Sequence, residues 1–235
     1  MQPSPLTPFV AIIGDIVGSR SFEGRKRRDL QHLLNTLLGT LNKGFAEAIA
    51  VPFTITRGDE WEGLVLPAAA PQFLPELIWK IELMRRTLPL RLGIGFGAID
   101  TELLPEAGQN DGPAFHAARR AIENAAEKKI PGGVFQGFGA KQDQVLNGLS
   151  MLLHTLRQRW SPQQREVIHL LRRGMRQVEV ASALERSRQA VSTQTRAAAW
   201  PAYSAGENAL RIALRACLER KIPQPGNPAG ENAGF

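Results

Sequence analysis

The first 140 residues alternate short apolar runs with longer segments in which leucine recurs at helical spacing. Residues 9–14 (FVAIIG) form an apolar run that is typical of a buried strand. From Leu30 to Leu41, leucines lie one helical turn apart, which predicts a long amphipathic helix within residues 24–50. The later patterns predict a hairpin with strands at 52–57 and 61–66, a helix at 71–88, a glycine-rich strand at 91–99, a helix at 113–128 and an edge strand at 133–139.

The predicted order is β-α-β-β-α-β with a further helix and strand appended. This order is typical of the split βαβ or ferredoxin-like arrangement, an antiparallel sheet with its helices on one face. Glycines at 93, 95 and 97 leave little room for side chains on the glycine-rich strand, which indicates that another group approaches it closely. We therefore predict an α+β sheet domain, followed by an all-α domain.

The composition changes after Gly139. A connecting helix is predicted at 146–159, and three short helical segments follow it at 161–173, 177–184 and 187–199. Ser161 and Ser187 are good N-caps for the first and third of these segments. The predicted organisation is a sheet domain over 1–140, a linker helix over 141–160, a helix-turn-helix domain over 161–222 and a disordered tail over 223–235, where Pro, Gly and Asn are abundant.

The net positive charge lies in the C-terminal third. Residues 1–150 carry 16 Lys and Arg against 16 Asp and Glu, whereas residues 151–235 carry 13 against 6, and 12 of those 13 are arginine. A neutral domain joined to an arginine-rich one is typical of a sensor or enzyme tethered to a nucleic-acid reader, although basic faces are common on other proteins too. With one cysteine (Cys217), no signal peptide and no run of 18 apolar residues, the chain is expected to be cytoplasmic and not to span a membrane.

Two aspartates of the sheet domain are candidate metal ligands. Asp15 ends the first predicted strand and Asp59 lies at the tip of the hairpin, so the predicted sheet brings them close together. One or two carboxylates plus substrate phosphates are the usual ligands of Mg²⁺, and we expect Mg²⁺ or Mn²⁺ here. Gly18 and Ser19 would offer backbone N–H groups to phosphate at the start of the following helix. The alternative is that both aspartates only stabilise their turns.

Four motifs carry a family resemblance: FVAIIGDIVGSR, ITRGDEWEGLV, RLGIGFGAIDT and DGPAFHAARRAI. In their order and spacing, over roughly residues 9–130, the chain resembles the SatD family of bacterial proteins. More distantly, the same blocks resemble class III nucleotide cyclases and GGDEF domains, whose palm-like ferredoxin core holds two metal ions on a first-strand Asp and a hairpin Asp. The resemblance implies a palm-type domain with metal on Asp15 and Asp59.

The chain departs from the cyclase pattern on the helix after the glycine-rich strand. Class III cyclases carry an Asn there and, four residues later, a transition-state Arg. His116 and Arg120 hold these positions, with Arg119 adjacent, so the Asn is lost and the Arg is retained in type. The resemblance therefore implies nucleotide or phosphate binding more strongly than cyclisation, with Gly18, Ser19, Arg119 and Arg120 as candidate nucleotide ligands.

Residues 161–200 resemble the helix-turn-helix of LuxR-type regulators and sigma-factor region 4. The shared features are an opening Ser-Pro, a glycine between the first two helices and a serine that opens the third helix. The resemblance implies an inward face made of Val178, Val180, Ala181, Leu184, Val191 and Ala198. It leaves an outward, DNA-binding face made of Arg188, Gln189, Ser192, Thr193 and Arg196. A helical protein-interaction module with the same packing is the alternative.

These patterns predict a DNA-binding protein, acting as a transcriptional regulator, whose palm-like domain binds a nucleotide or another phosphate ligand. The alternative is a metal-dependent nucleotide-processing enzyme localised by its helix-turn-helix, and a third reading is a degenerate palm that serves only for dimerisation. Residues 207–220 carry an apolar stripe that either completes the core or forms a dimer interface. We expect a homodimer, because one helix-turn-helix buries little surface on DNA.

Overall fold

The computed structural model describes residues 8–19, 22–84, 87–100 and 102–219, so the tail predicted at 223–235 lies outside the described residues. Its elements, in order, are β1 (Pro8–Ile16), α1 (Gly24–Gly44), β2 (Ile49–Arg57), β3 (Glu60–Val65), α2 (Ala70–Met84), β4 (Leu90–Ala98), α3 (Pro113–Glu127), β5 (Gly133–Gln136), α4 (Ala140–Gln158), α5 (Pro162–Arg172), α6 (Gln177–Ala183), α7 (Arg188–Ala197) and α8 (Trp200–Glu219). Each predicted strand and helix occurs, although α4 begins at Ala140 rather than at residue 146.

The five strands form one sheet in the order β2-β3-β1-β4-β5. β1 lies in the centre and pairs antiparallel with β3 on one side and with β4 on the other. This is the strand order of the ferredoxin-like arrangement, which confirms the predicted α+β class. β5 pairs parallel with β4 at the edge, so the sheet is mixed rather than purely antiparallel.

Helices cover both faces of the sheet, and the prediction that they lie on one face is wrong. One face packs against α1, α2 and α4, whereas α3 packs on the other, against β1 and β4. The glycines of β4 allow this second layer, since a Cβ on Gly95 would lie 2.2 Å from the Ala114 carbonyl oxygen. The unbroken apolar run of β1 is the sequence signal of a strand buried on both faces.

The helices after β5 share a hydrophobic core with the sheet. A continuous cluster of buried side chains runs from Val10 of β1 through Trp79 of α2 to Tyr203 and Leu214 of α8. α4 packs against both β5 and α8. The predicted domain boundary near residue 140 therefore stays a prediction, because the core continues across it.

Helices α5, α6 and α7 lie in the places predicted for the helix-turn-helix. Ser161 accepts a hydrogen bond from Gln164 N and Ser187 accepts one from Ala190 N, as expected of N-caps. Val178 is 37% exposed, so its predicted inward position is wrong, whereas Val180 and Val191 are fully buried. None of the described helices is long and apolar enough to cross a bilayer.

The apolar stripe predicted after residue 207 mostly completes the core. Leu210, Leu214, Cys217 and Leu218 are buried within the shared cluster, which holds α8 against α2 and α4. Ile212 is the exception, since 61% of its surface is exposed.

Candidate functional site

Asp15 and Asp59 come together where β1 ends and the β2–β3 hairpin turns. Asp59 follows Gly58 in the two-residue turn between the strands, and its Oδ2 accepts a hydrogen bond of 3.1 Å from the backbone N–H of Ile16. The hairpin tip is thereby fixed against the residue that directly follows Asp15. Sequence and sheet order thus place two carboxylates at one end of the sheet.

Asp15 is half-buried beside Arg91 of β4. The two residues are directly paired across the strands, and Arg91 Nε lies 3.1 Å from Asp15 Oδ1, at ion-pair distance but without the alignment of a hydrogen bond. Burial raises the pKa of Asp15, and the nearby charges of Asp59 and Glu60 raise it further, against the lowering effect of Arg91. Asp15 therefore carries its charge at a cost to the fold.

Two glutamates extend this group of acids along β3. Glu60 and Glu62 lie on the same face of the strand, and Arg119 of α3 binds both of them. Its Nη2 lies 2.9 Å from Glu60 Oε1 and 2.7 Å from Glu62 Oε1. The hydrogen bond to Glu60 is the main cause that raises the pKa of Arg119, and burial raises the pKa of Glu62. The neighbouring Arg120 is exposed to solvent.

The structure places the remaining sequence candidates after the end of β1, at the start of α3 and in the core. Gly18 and Ser19 precede α1 by several residues, because the helix begins at Gly24, so the expectation that they open this helix is wrong. His116 Nε2 lies 3.0 Å from Asp111 Oδ1 at the exposed start of α3. Trp61 is fully buried in the core.

A cation at these carboxylates would need ligands from outside the chain. Within the described residues, no group of three or more His, Cys, Asp and Glu side chains is arranged to hold a metal ion. Asp15 and Asp59 could supply two carboxylates, with water and phosphate oxygens as the remaining ligands, which is the usual environment of Mg²⁺. The four acids Asp15, Asp59, Glu60 and Glu62 outnumber the two arginines among them, so the site has an excess of negative charge.

The second candidate surface is the outward face of α7. Arg188, Gln189, Thr193 and Arg196 are exposed, and Ser192 is half-buried. Their spacing places them on one side of the helix. Within the part of the chain that the structure describes, no side-chain partner is found for Arg188 or Arg196. By contrast, Arg186 at the turn before α7 is paired with Glu166 of α5.

Comparison with known families matches residues 9–199 to the SatD family. The chain belongs to the SatD family. The match extends beyond the sheet through α5, α6 and α7, whereas the resemblance in the sequence motifs ended near residue 130. A comparison with curated proteins gives no match.

Two solved structures of a bacterial light-regulated adenylyl cyclase align with this SatD-family chain. Each alignment covers 57% of the chain, with 13% identity and a TM-score of 0.42 in one and 15% identity and a TM-score of 0.43 in the other. The chain covers 44% of the first cyclase chain and 77% of the second.

Sequence reasoning missed three residues of this candidate site, Arg91, Glu60 and Glu62. Glu62 follows Glu60 by two positions, and strand alternation alone would have placed both on one face. Arg91 lies beside Asp15 only because of the β1–β4 register, which the sequence pattern does not specify.

Proposed function

We propose that this SatD-family protein binds DNA through α7 and acts as a transcriptional regulator, with a palm-like domain that binds a phosphate-bearing ligand. The observation that carries the DNA proposal is the outward face of α7, with its unpaired arginines. Arg and Gln are the side chains that read guanine and adenine edges in the major groove, and Ser and Thr bind phosphates well.

Three other arginines of this region have acidic partners, in contrast to Arg188 and Arg196. Arg172 is buried against Glu207, Arg176 is paired with Glu179, and Arg186 is paired with Glu166. Arg188 and Arg196 have no such partner among the described residues and lie on one face with Gln189. A surface that leaves two exposed arginines unpaired beside Gln189 suits a polyanion better than a protein helix.

The experiment is fluorescence anisotropy on a duplex selected from a random pool. Replacing Arg188 or Gln189 with Ala should cost about 1–3 kcal/mol on the selected duplex if the side chain reads a base. Arg196→Ala should weaken binding to all duplexes and reduce the salt slope by about one if Arg196 binds phosphate. Arg215→Ala is the matched control, because Arg215 is exposed on α8, away from the α7 face. Equal affinity in all four variants would contradict the proposal.

We further propose that two copies of the chain bind DNA together. A single helix-turn-helix buries too little surface for tight binding, and paired half-sites lie about 34–36 Å apart on DNA. Sedimentation of the protein with the selected duplex measures the number of copies bound. One copy per duplex would contradict the dimer.

The second candidate function uses the carboxylates. Asp15 and Asp59 are proposed to hold Mg²⁺ or Mn²⁺ together with a nucleotide phosphate, because Asp15 is costly to charge and has Asp59 and Glu60 beside it. Among the candidate nucleotide ligands (Gly18, Ser19, Arg119 and Arg120), Arg119 is the best placed, since it already lies among the acids. The bound cation would supply electrostatic attraction for phosphate oxygens.

Calorimetry with each nucleoside triphosphate and Mg²⁺ or Mn²⁺ tests this site. Asp15→Asn and Asp59→Asn should abolish cation-dependent binding, and the new amide oxygen at 59 can still accept the Ile16 N–H. Asp29→Asn is the matched control, because Asp29 is exposed on α1. Turnover of a triphosphate by the wild type, lost in both site variants, would favour the alternative of a nucleotide-processing enzyme.

A further inference from the structure

A cleft opens beside Arg91, which is one of its lining residues. It lies where β4 and β5 begin and α3 ends, and it has a volume of about 460 Å³. This volume is within the range of about 300–1,000 Å³ that is usual for small-molecule sites. None of the sequence candidates for metal, nucleotide or DNA lines the cleft.

Two cationic side chains, those of Arg91 and Lys129, line the cleft. Arg91 Nε lies 3.1 Å from Asp15 Oδ1, and within the described residues no hydrogen-bond acceptor is found for its two terminal nitrogens. Lys129 is exposed and follows the last turn of α3. A guanidinium with open N–H groups and a nearby ammonium form a suitable receptor for a phosphate or carboxylate group.

The backbone at Lys129 is in the left-handed region, with φ at +52°. The Ile130 N–H donates to the Ala125 carbonyl oxygen at 3.0 Å, which closes the end of α3 as in a Schellman motif. Glycine is the residue that usually occupies this position, and any other residue strains the backbone. A lysine here costs stability and places an ammonium at the cleft.

The remaining walls are mostly apolar. Val17, Leu90 and Ile130 line the cleft, and Val17 is 45% exposed. At the cleft, Glu82 is buried and bound by His154, whose Nδ1 lies 2.7 Å from Glu82 Oε1. Gln158 Nε2 donates to the other carboxylate oxygen of Glu82 at 3.2 Å, so both oxygens are engaged by neighbouring side chains. The cleft therefore combines a cationic side with an apolar side.

We propose that this cleft binds a small organic anion, with its phosphate or carboxylate on Arg91 and Lys129 and its uncharged body against Val17, Leu90 and Ile130. The cleft does not include the α7 face, and it adjoins the proposed cation site through Arg91, which pairs with Asp15. The labelling test below uses neither DNA nor a divalent cation, so its failure is distinguishable from the failure of either proposed function.

Pyridoxal 5′-phosphate is the probe, because it is an aromatic phosphate whose aldehyde condenses with a lysine amine and loses water. Reduction of the resulting imine with borohydride fixes the label, and peptide mass spectrometry assigns it among the seven lysines of the chain. We expect Lys129 to be labelled about tenfold faster than Lys128, which is adjacent and exposed but does not line the cleft. Arg91→Gln should remove this preference. Equal labelling of Lys128 and Lys129 would overturn the proposal.

Protection from labelling identifies the class of ligand. Adenosine monophosphate, benzoate and inorganic phosphate are each added at the same concentration before the probe. Protection by the nucleotide alone supports a phosphate monoester, and protection by benzoate alone supports a carboxylate. Protection by inorganic phosphate as strong as by either organic anion would overturn the role of the apolar wall.

A variant separates binding from folding. Lys129→Gly removes the ammonium at a position where glycine is favoured, so its thermal midpoint should equal or exceed that of the wild type. In calorimetry, the same variant should lose binding of the protecting anion, whereas Lys128→Gly should keep it. Unchanged binding in Lys129→Gly would contradict the assignment.

Discussion

At the scale of single residues, the surroundings of Asp15 in the folded protein disfavour its charged form. Burial has the largest effect on its pKa, and the ion pair with Arg91 does not compensate for it. Residues that are kept in a costly state are common at functional sites, where stability is given up for chemistry. The unfavourable environment of Asp15 therefore supports its assignment to the candidate cation site.

We predict that Asp15→Asn does not lower stability at neutral pH. The raised pKa means that the folded wild type loses stability as pH rises from the ordinary value of 3.8 through the raised value. The variant lacks this loss, so its thermal midpoint should equal or exceed that of the wild type at pH 7. The advantage should shrink on acidification. A midpoint well below the wild type at pH 7 would show that the Arg91 pair dominates.

Arg119, in contrast to Asp15, is expected to stabilise the fold, since it pairs with the carboxylates of both Glu60 and Glu62. We predict that Arg119→Ala destabilises the protein by about 1–2 kcal/mol, at the low end for lost charged hydrogen bonds because Arg119 is partly exposed. The pKa of Glu62, already raised by burial, should rise further. The loss should therefore diminish as pH falls and Glu62 takes up a proton.

Urea unfolding of this variant between neutral and acidic pH measures the effect. Arg120→Ala is the matched control, because Arg120 is exposed on the same turn of α3. An equal free energy of unfolding for the two variants would mean that the Glu60 and Glu62 pairs contribute nothing measurable.

At the scale of elements, the contact between β4 and α3 decides the architecture. Side chains are absent from one face of β4 at Gly93, Gly95 and Gly97, and the backbone of α3 occupies that space. The sequence showed that something approaches this strand closely. It did not show what approaches, because an absent side chain carries no information about its partner.

We predict that Gly95→Ala destabilises the fold severely. Its Cβ would lie 2.2 Å from both the Ala114 carbonyl oxygen and the Ala118 nitrogen, and neither backbone atom can move without shifting the whole helix. Gly148→Ala is the matched control, since Gly148 is exposed on α4 and a Cβ added there would meet no atom within 4 Å. That change should stabilise by roughly 0.5–1 kcal/mol, the usual helix preference for alanine. Thermal unfolding of both variants checks the pair, and a mild effect at 95 would contradict such close packing.

Elements that depend on neighbouring residues were predicted well from the sequence. Contacts between segments far apart in the chain were not. The caps at Ser161 and Ser187 and the leucine repeat of α1 depend on neighbours within one or two turns, so the sequence alone specifies them. The pairing of Asp15 with Arg91 depends on register between strands far apart in the chain. The face of the sheet that α3 covers could not be predicted either. Because β1 is apolar on both faces, its sequence pattern does not say which helix packs on which face.

At the scale of the whole molecule, ion pairs join α5 to α2 and α8. Arg172 of α5 donates to Glu207 of α8 and to Glu76 of α2, and its guanidinium lies 4.8 Å from the centre of the Trp79 ring. Trp160, after α4, donates its indole N–H to the Ala198 carbonyl oxygen at the end of α7. Packed and hydrogen-bonded groups therefore connect α5 and α7 with α2 and α8.

We predict that Arg172→Met destabilises α5–α8 and the sheet together, by up to about 3–5 kcal/mol, because it leaves the Glu207 carboxylate buried without its main partner. Arg211, which lies 3.3 Å from Glu207, should reduce this loss. Adding Glu207→Gln should restore most of the stability, since the uncompensated charge is then gone.

Hydrogen exchange of amides in β1 and in α7 measures both regions in one experiment. If the shared core makes the described chain one cooperative unit, the two regions should lose protection by the same free energy in Arg172→Met and regain it in the double variant. Arg173→Met is the matched control, because Arg173 is the adjacent exposed arginine. A loss confined to α7, with β1 unchanged, would instead establish the helix-turn-helix as an independent domain that begins near residue 160.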